Sequence, residues 1–369
     1  MIDGGFVIQM KDNRHKTDTK KTEGPPRKLG LAAWDARAAG FREMEVFGVG
    51  IWAILGFAFA AYAVVGNDAL QTLGTFISSN QKLPWWALFL FASTVLIVVF
   101  IIGYIQFDGD PSWGRLSNAK KYPEFEAQWY HVVPAAALLV ITRLGLPVST
   151  SFMILSIFAT MAGMQSMVQK SAYAYAMSLG LGLASYIFLA PTLERHFMKT
   201  PDHAQRPHWI LFQWVTTAYL WAVWLIQDFA NIYVFLPRQL SMEQAVFSVC
   251  LIMFLLMITF INGGGPVQRI LKTKTSVTDI RSATLIDFFY ASILAYFAYV
   301  SKTPMSTTWA FLGFIGGREI ALATIDKVRS PGATLKIVSM DAGKALLGLV
   351  ISVGLAVGLP RLAAAMTAG

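Results

Sequence analysis

The chain has 369 residues, 55% of them hydrophobic and only 14% charged, with a net charge of +9. A soluble domain of this length carries roughly a quarter charged residues, so a water-soluble globular protein is excluded, and a single cysteine, Cys250, excludes a disulfide scaffold. Nine Lys and Arg precede residue 44, which places the charge on a basic arm suited to anionic headgroups and not on a nucleic-acid surface.

In chain order, residues 1–32 are polar and basic without an apolar core, so they read as a disordered arm and not as a cleavable signal. Residues 33–44 mix Ala, Trp and Phe with Arg37, Arg42 and Glu43, which suits an interfacial helix. Uncharged apolar runs at 47–65, 85–106, 172–190, 209–226, 243–261 and 345–359 approach or exceed the ~20 residues that cross a hydrocarbon core. The first run reaches Gly66-Asn67-Asp68, and helical phase continues beyond it through Leu70, Leu73, Phe76 and Ile77. Gly66 therefore reads as a break inside a membrane helix. Two other segments, about 130–163 and 284–320, are expected to be hairpins of short apolar limbs, tipped at Leu144-Gly145-Leu146-Pro147-Val148-Ser149-Thr150-Ser151 and at Pro304-Met305-Ser306-Thr307-Thr308. Cys250, within an apolar run, is expected to be a buried thiol.

The chain repeats itself. Each half contains a span, an Asp-bearing polar motif, a second span, a Ser/Thr-tipped hairpin and a closing span. Asp68 precedes Ser149 by 81 residues and Asp228 precedes Ser306 by 78. The motifs also answer each other, Asn67-Asp68-x-x-Gln71 against Gln227-Asp228-x-x-Asn231. With each hairpin re-entrant, a half makes three crossings, so the second half enters from the opposite side. That is the inverted-repeat plan of secondary transporters, whose sites lie where discontinuous helices meet.

A carboxylate at membrane depth costs about 2.5–3.5 kcal/mol even on the lenient insertion scale, and such residues usually serve ions, protons or substrate. Asp68 and Asp228 beside amides, with Asn67, Gln71, Gln227 and Asn231, form an all-oxygen set for a hard cation such as Na+, or a proton-carrying pair. Ser149, Thr150, Ser151, Ser306, Thr307 and Thr308 open half-helices whose first N–H groups carry partial positive charge, a setting for an oxyanion. A single such turn would be an ordinary N-cap; two in register favour a site. Asp287 is an isolated acid with no evident role. The five histidines lack metal-ligand spacing, no nucleophile–base arrangement accompanies the tips, and the chain is not read as an enzyme.

At these residues the sequence resembles the inorganic phosphate transporter (PiT) family, which includes sulfate permeases. Gly66-Asn67-Asp68-Ala69-Leu70-Gln71 with Gly74-Thr75, and Gln227-Asp228-Phe229-Ala230-Asn231, are similar to its two Asn-Asp motifs. Thr142 to Thr150 and Pro304 to Thr308 are similar to its two Pro-Val-Ser-Thr-Thr turns, with further likeness at Gly263–Arg281 and Leu335-Lys336-Ile337-Val338. The resemblance covers about residues 45–360 and implies symport of phosphate with Na+ or H+, with the Asp motifs at the cation and the hydroxyl turns at the anion. Sulfate or another tetrahedral oxyanion is the alternative, ahead of a passive anion channel or an intramembrane enzyme. Glutamine stands at 71 and 227 where the family has asparagine, and Phe152 and Trp309 stand where it often has a polar residue.

The expected fold is thus an all-α integral membrane protein, an inverted-repeat transporter with two re-entrant helical hairpins. Its parts are a basic arm and interfacial helix at 1–44, a first transmembrane repeat at 45–190, a linker at 191–208, a second inverted repeat at 209–360 and a tail at 361–369. It is expected to be multi-pass, in the inner membrane if bacterial. No cofactor is expected, nor any metal beyond Na+ at Asp68 and Asp228. The expected partners are phosphate or sulfate, Na+ or H+, and lipid, with no nucleic acid; a homodimer is compatible with the pattern.

Overall fold

The computed structural model describes residues 44–143, 148–189, 192–193, 195–200, 206–263, 279–300, 302, 304–325 and 330–368. The basic arm, nearly all of the expected interfacial helix, the first tip at 144–147 and most of the basic stretch before Arg281 lie outside the described residues.

The first span starts later than its composition suggests. Residues Glu45–Val46 (β1) and Val49–Gly50 (β2) pair as a small antiparallel hairpin, turned at Phe47 and Gly48 with φ of 55° and 71°. Helix α1 then runs Ile51–Ala63, a π-helical turn covers Val64–Asp68, and α2 continues over Ala69–Ser79. The break anticipated at Gly66 is therefore a widened turn inside a continuing helix, of a kind often found at functional sites. Glycine and asparagine are weak helix formers at that point.

Pro84 precedes α3 (Trp85–Gln106), and α4 (Trp129–Arg143) and the six-residue α5 (Thr150–Leu155) flank the first tip. Helix α6 (Met161–Leu189) begins sooner than expected, so the returning limb of the first hairpin ends at Leu155 and not at 163. The chain does come back on itself, because Phe158 stacks on the His131 ring at 5.0 Å and on Phe125 at 5.5 Å. After the short α7 (Arg195–Lys199) comes α8 (Pro207–Tyr233). Helix α9 (Met242–Ile261) opens with a reciprocal capping box, Ser241 Oγ accepting from Gln244 N–H while Gln244 Oε1 accepts from Ser241 N–H. Then follow α10 (Ile280–Val300), α11 (Thr307–Ile325) and α12 (Pro331–Ala368), whose helix runs through most of the expected tail.

Helices α3, α6, α8, α9, α10 and α12 are long and apolar enough to cross a membrane, and the chain is a multi-pass integral membrane protein. Three expectations need correction. The limbs of the second hairpin are not short: α10 has 21 residues and α11 has 19, whereas α4 has 15. Helix α8 does not end at 226 but carries Gln227, Asp228 and Asn231 within its last turns, since no glycine or proline interrupts it before Tyr233. Cys250 is exposed. An apolar neighbourhood implies burial only in water, and in a bilayer apolar faces such as those of Leu90, Ile105 and Phe188 point outward.

The packing is reciprocal between the halves. Helix α1 packs on α4 and α8 on α10, the helix leading to each Asp motif lying against the first limb of its own hairpin. Each closing helix also packs on the other half's hairpin, α6 on α11 and α12 on α4 and α5, and α12 lies against α11 of its own half as well. The α6–α11 contact is the tightest. A Cβ on Gly313 would lie 2.4 Å from the Tyr175 carbonyl oxygen, one on Gly317 2.2 Å from that of Leu179, and one on Gly182 2.3 Å from that of Phe314. Gly313 and Gly317 form a Gly-x-x-x-Gly face that lets the two backbones touch.

Candidate functional site

The packing brings both hairpin ends and both Asp motifs together. Ser149 and Ser306 serve as N-caps. Ser149 Oγ accepts from Phe152 N–H at 3.3 Å and Ser306 Oγ from Trp309 N–H at 3.1 Å, which opens α5 and α11 in the same way. The next hydroxyls differ. Thr307 Oγ1 donates to Asp228 Oδ2 at 3.0 Å, whereas Thr150 Oγ1 is buried without a hydrogen-bond partner among the described residues. Ser151 Oγ crosses from the first hairpin to the second, donating to the Met305 carbonyl at 2.9 Å. Thr308 is buried beside them. Phe152 and Trp309, the two aromatic departures from the family pattern, meet edge to face with ring centroids 5.3 Å apart. The two rings thus form one contact that joins the hairpins.

Asp228 is fully enclosed. Asn231, one helical turn on, donates through Nδ2 to Asp228 Oδ1 at 2.5 Å, so both carboxylate oxygens accept hydrogen bonds. Asp68, equally buried at the end of the π turn, interacts electrostatically with Asp228. Tyr290 of α10 is near both carboxylates, and its hydroxyl donates to the Thr307 carbonyl at 3.1 Å. Gln227 Nε2 donates to the Leu294 carbonyl at 3.1 Å, tying the signature of α8 to the second hairpin. The side chains of Asn67 and Gln71 lie outside the described residues, as does that of Arg143; Lys302 is exposed.

Two features were not anticipated. Asp287 is not isolated: its carboxylate accepts from Thr75 Oγ1 at 2.9 Å and from Thr217 Oγ1 at 2.6 Å. Below it Gln213 joins Asn80 and Ser79. The sequence signal was a polar stripe at 68, 72, 75 and 79, helical spacing on one face of an apolar segment. The second feature is Arg115, from the loop between α3 and α4, which hydrogen-bonds to Gln227 and interacts electrostatically with Asp228. Its loop is rich in Asp, Pro, Ser and Gly, so nothing local marked it as buried.

No family model and no curated protein matches the chain. Among solved structures it is similar to one titled "The sodium-dependent phosphate transporter", with a TM-score of 0.58 and 14% sequence identity over 85% of this chain and 98% of that one. The chain shares the fold of that transporter.

Proposed function

We propose that the chain is a secondary transporter of the inorganic phosphate transporter family, carrying phosphate in symport with Na+. The observation that carries this reading is the Thr307–Asp228 hydrogen bond, which places a hairpin-tip hydroxyl and a membrane-embedded carboxylate in one unit. A further support is the likeness in fold to a sodium-dependent phosphate transporter.

On this reading Asp68, Asp228 and Asn231, with Asn67, Gln71 and Gln227, form the cation side, where oxygen donors suit a hard monovalent ion. The tips supply the anion side through Thr150, Ser151, Thr307 and Thr308 and the N–H groups capped by Ser149 and Ser306. The two sides are coupled by charge. Unit charges 4 Å apart at an effective dielectric of ~20 interact by about 4 kcal/mol, so an anion next to uncompensated carboxylates is held poorly. A bound cation removes that repulsion and lets the Thr307 hydroxyl turn from Asp228 toward the anion. Cation first, anion second, is the order the arrangement favours. The re-entrant course of both hairpins belongs to the same proposal, since irregular backbone at membrane depth is tolerated where it lines protein or a watery cavity.

Proteoliposomes should accumulate labelled phosphate under an inward Na+ gradient, more than sulfate and more than under a proton gradient alone. Accumulation of neither anion under either gradient would sink the reading. Greater uptake of sulfate, or equal uptake with protons alone, would move it to the family's alternative substrate or coupling ion. Within the same assay Ser151→Ala removes the hairpin-to-hairpin bond to Met305 and leaves a buried carbonyl unpaired. A loss of about 1 kcal/mol corresponds to a roughly fivefold rise in the phosphate concentration for half-maximal uptake, with the maximal rate little changed.

A further inference from the structure

Most charges of the loop at 107–128 face outward, but Arg115 is only 3% exposed. The loop is fastened at both ends. Near its start the Asp110 carboxylate accepts from Ser112 N–H at 2.8 Å and Gly114 N–H at 3.2 Å, around a turn in which Trp113 and Gly114 have φ of 58° and 64°. The Gly109 carbonyl accepts from Leu240 N–H at 3.0 Å, and Tyr104 Oη donates to the Leu240 carbonyl at 2.9 Å. Near its far end the backbone N–H and hydroxyl of Thr160 donate to the carbonyls of Lys121 and Lys120 at 2.8 and 2.7 Å. Between these anchors the chain delivers the guanidinium inward, where Nη2 donates to Oε1 of Gln227, the residue before Asp228, and the charge is attracted electrostatically by Asp228.

Gln227 is well built for this position. It accepts from Arg115 at one end of its amide and donates to Leu294 at the other, bracketing the guanidinium against α10. An asparagine would be shorter by one methylene. The glutamine that departs from the family pattern is thus matched to an arginine that comes from outside both motifs. Burial lowers the Arg115 pKa to about 10, opposed by Asp228 and Tyr122, so the group remains a cation at pH 7. A buried guanidinium is costly unless its charge is compensated, and the electrostatic attraction of Asp228 offsets part of that cost.

We propose that Arg115 is a tethered cation of the transport site: it balances Asp228 in place of one dissociable ion, so that the carrier takes up one Na+ fewer than its two carboxylates would otherwise hold. The inference rests on the transporter reading above. With Asp68 and Asp228 ionised, Arg115 leaves the site one negative charge, which a single Na+ balances.

The test is Na+-dependent thermal stabilisation of the purified full chain in detergent, at constant ionic strength with choline replacing Na+, with and without inorganic phosphate. Ligand linkage sets the expectation: wild type should titrate with a steepness of about one Na+, and Arg115→Gln with a steepness of about two and a midpoint lowered about tenfold. Arg115→Lys, which keeps the charge, should stay near wild type. If Arg115→Gln does not yield monodisperse protein, Gln227→Asn withdraws the bracket while keeping every charge, and should lower the Na+ midpoint about threefold. An unchanged midpoint in the variant that folds overturns the inference while leaving the transporter reading intact. So does an Arg115→Lys that behaves like Arg115→Gln, or a phosphate response lost without change in the Na+ steepness, which would make Arg115 an anion ligand. A wild type stabilised by neither Na+ nor phosphate removes the transporter reading and the inference together.

Discussion

Asp228→Asn is expected to abolish concentrative phosphate uptake while leaving a folded protein. The side chain keeps its shape, but the change strikes three partners. Asp228 accepts from both Asn231 and Thr307, and an asparagine has one acceptor oxygen, so one of these donors is left facing an amide NH2. The Arg115 guanidinium loses the electrostatic attraction of the carboxylate. On the proposed mechanism one coupled cation is also lost. A potential of ~100 mV and a tenfold gradient supply about 2.3 and 1.4 kcal/mol per monovalent cation, so the attainable accumulation ratio falls by about 500-fold. Steady-state accumulation in Na+-energised proteoliposomes reads this directly, with thermal stability as the control for folding. Uphill uptake within twofold of wild type would show that Asp228 does not couple the cation.

Gly317→Val should have the largest effect on stability. The added Cβ would meet the Leu179 carbonyl oxygen at 2.2 Å and the Leu183 nitrogen at 2.6 Å. Both are backbone atoms of α6, so no rotamer relieves the collision and the helices must separate along their tightest contact. A cost of about 4 kcal/mol or more is expected, seen as aggregated or low-melting protein in detergent. Gly343→Val, where a Cβ meets nothing within 4 Å, is the matched control and should be close to neutral. If the two variants melt together, the close approach of α6 and α11 is not what holds the hairpin in place.

The membrane character and most helices were legible because hydrophobic length and helical period are local properties, averaged over twenty residues and hard to disguise. The meeting of the Ser/Thr turns with the Asp motifs was legible for a different reason: the chain states each motif twice in the same order. Boundaries were less so. Nothing in the apolar run 209–226 fixes where α8 ends; the absence of glycine and proline up to Tyr233 permits the continuation, and the bond from Gln227 to the Leu294 carbonyl fastens it to α10. Cys250 was misplaced because the rule relating apolarity to burial reverses when lipid is the solvent. The limbs of the second hairpin were read short because polar residues such as Arg281, Asp287 and Arg318 lie buried within its helices.

The sequence by itself determined an integral membrane protein, and it singled out Asp68, Asp228 and the two hydroxyl turns, because a polar group in an apolar run costs free energy wherever it sits. Only the tertiary structure decided what each polar group does. Ser149 and Ser306 spend their side chains on capping, Thr307 joins a carboxylate, Ser151 crosses to the other hairpin, and Asp287 finds two threonines from distant helices. Arg115 is the sharpest instance: 113 residues separate it from Asp228, and its depth is set by anchors at both ends of a loop. Electrostatic pairing depends on distance in space, and that distance exists only once the helices have packed.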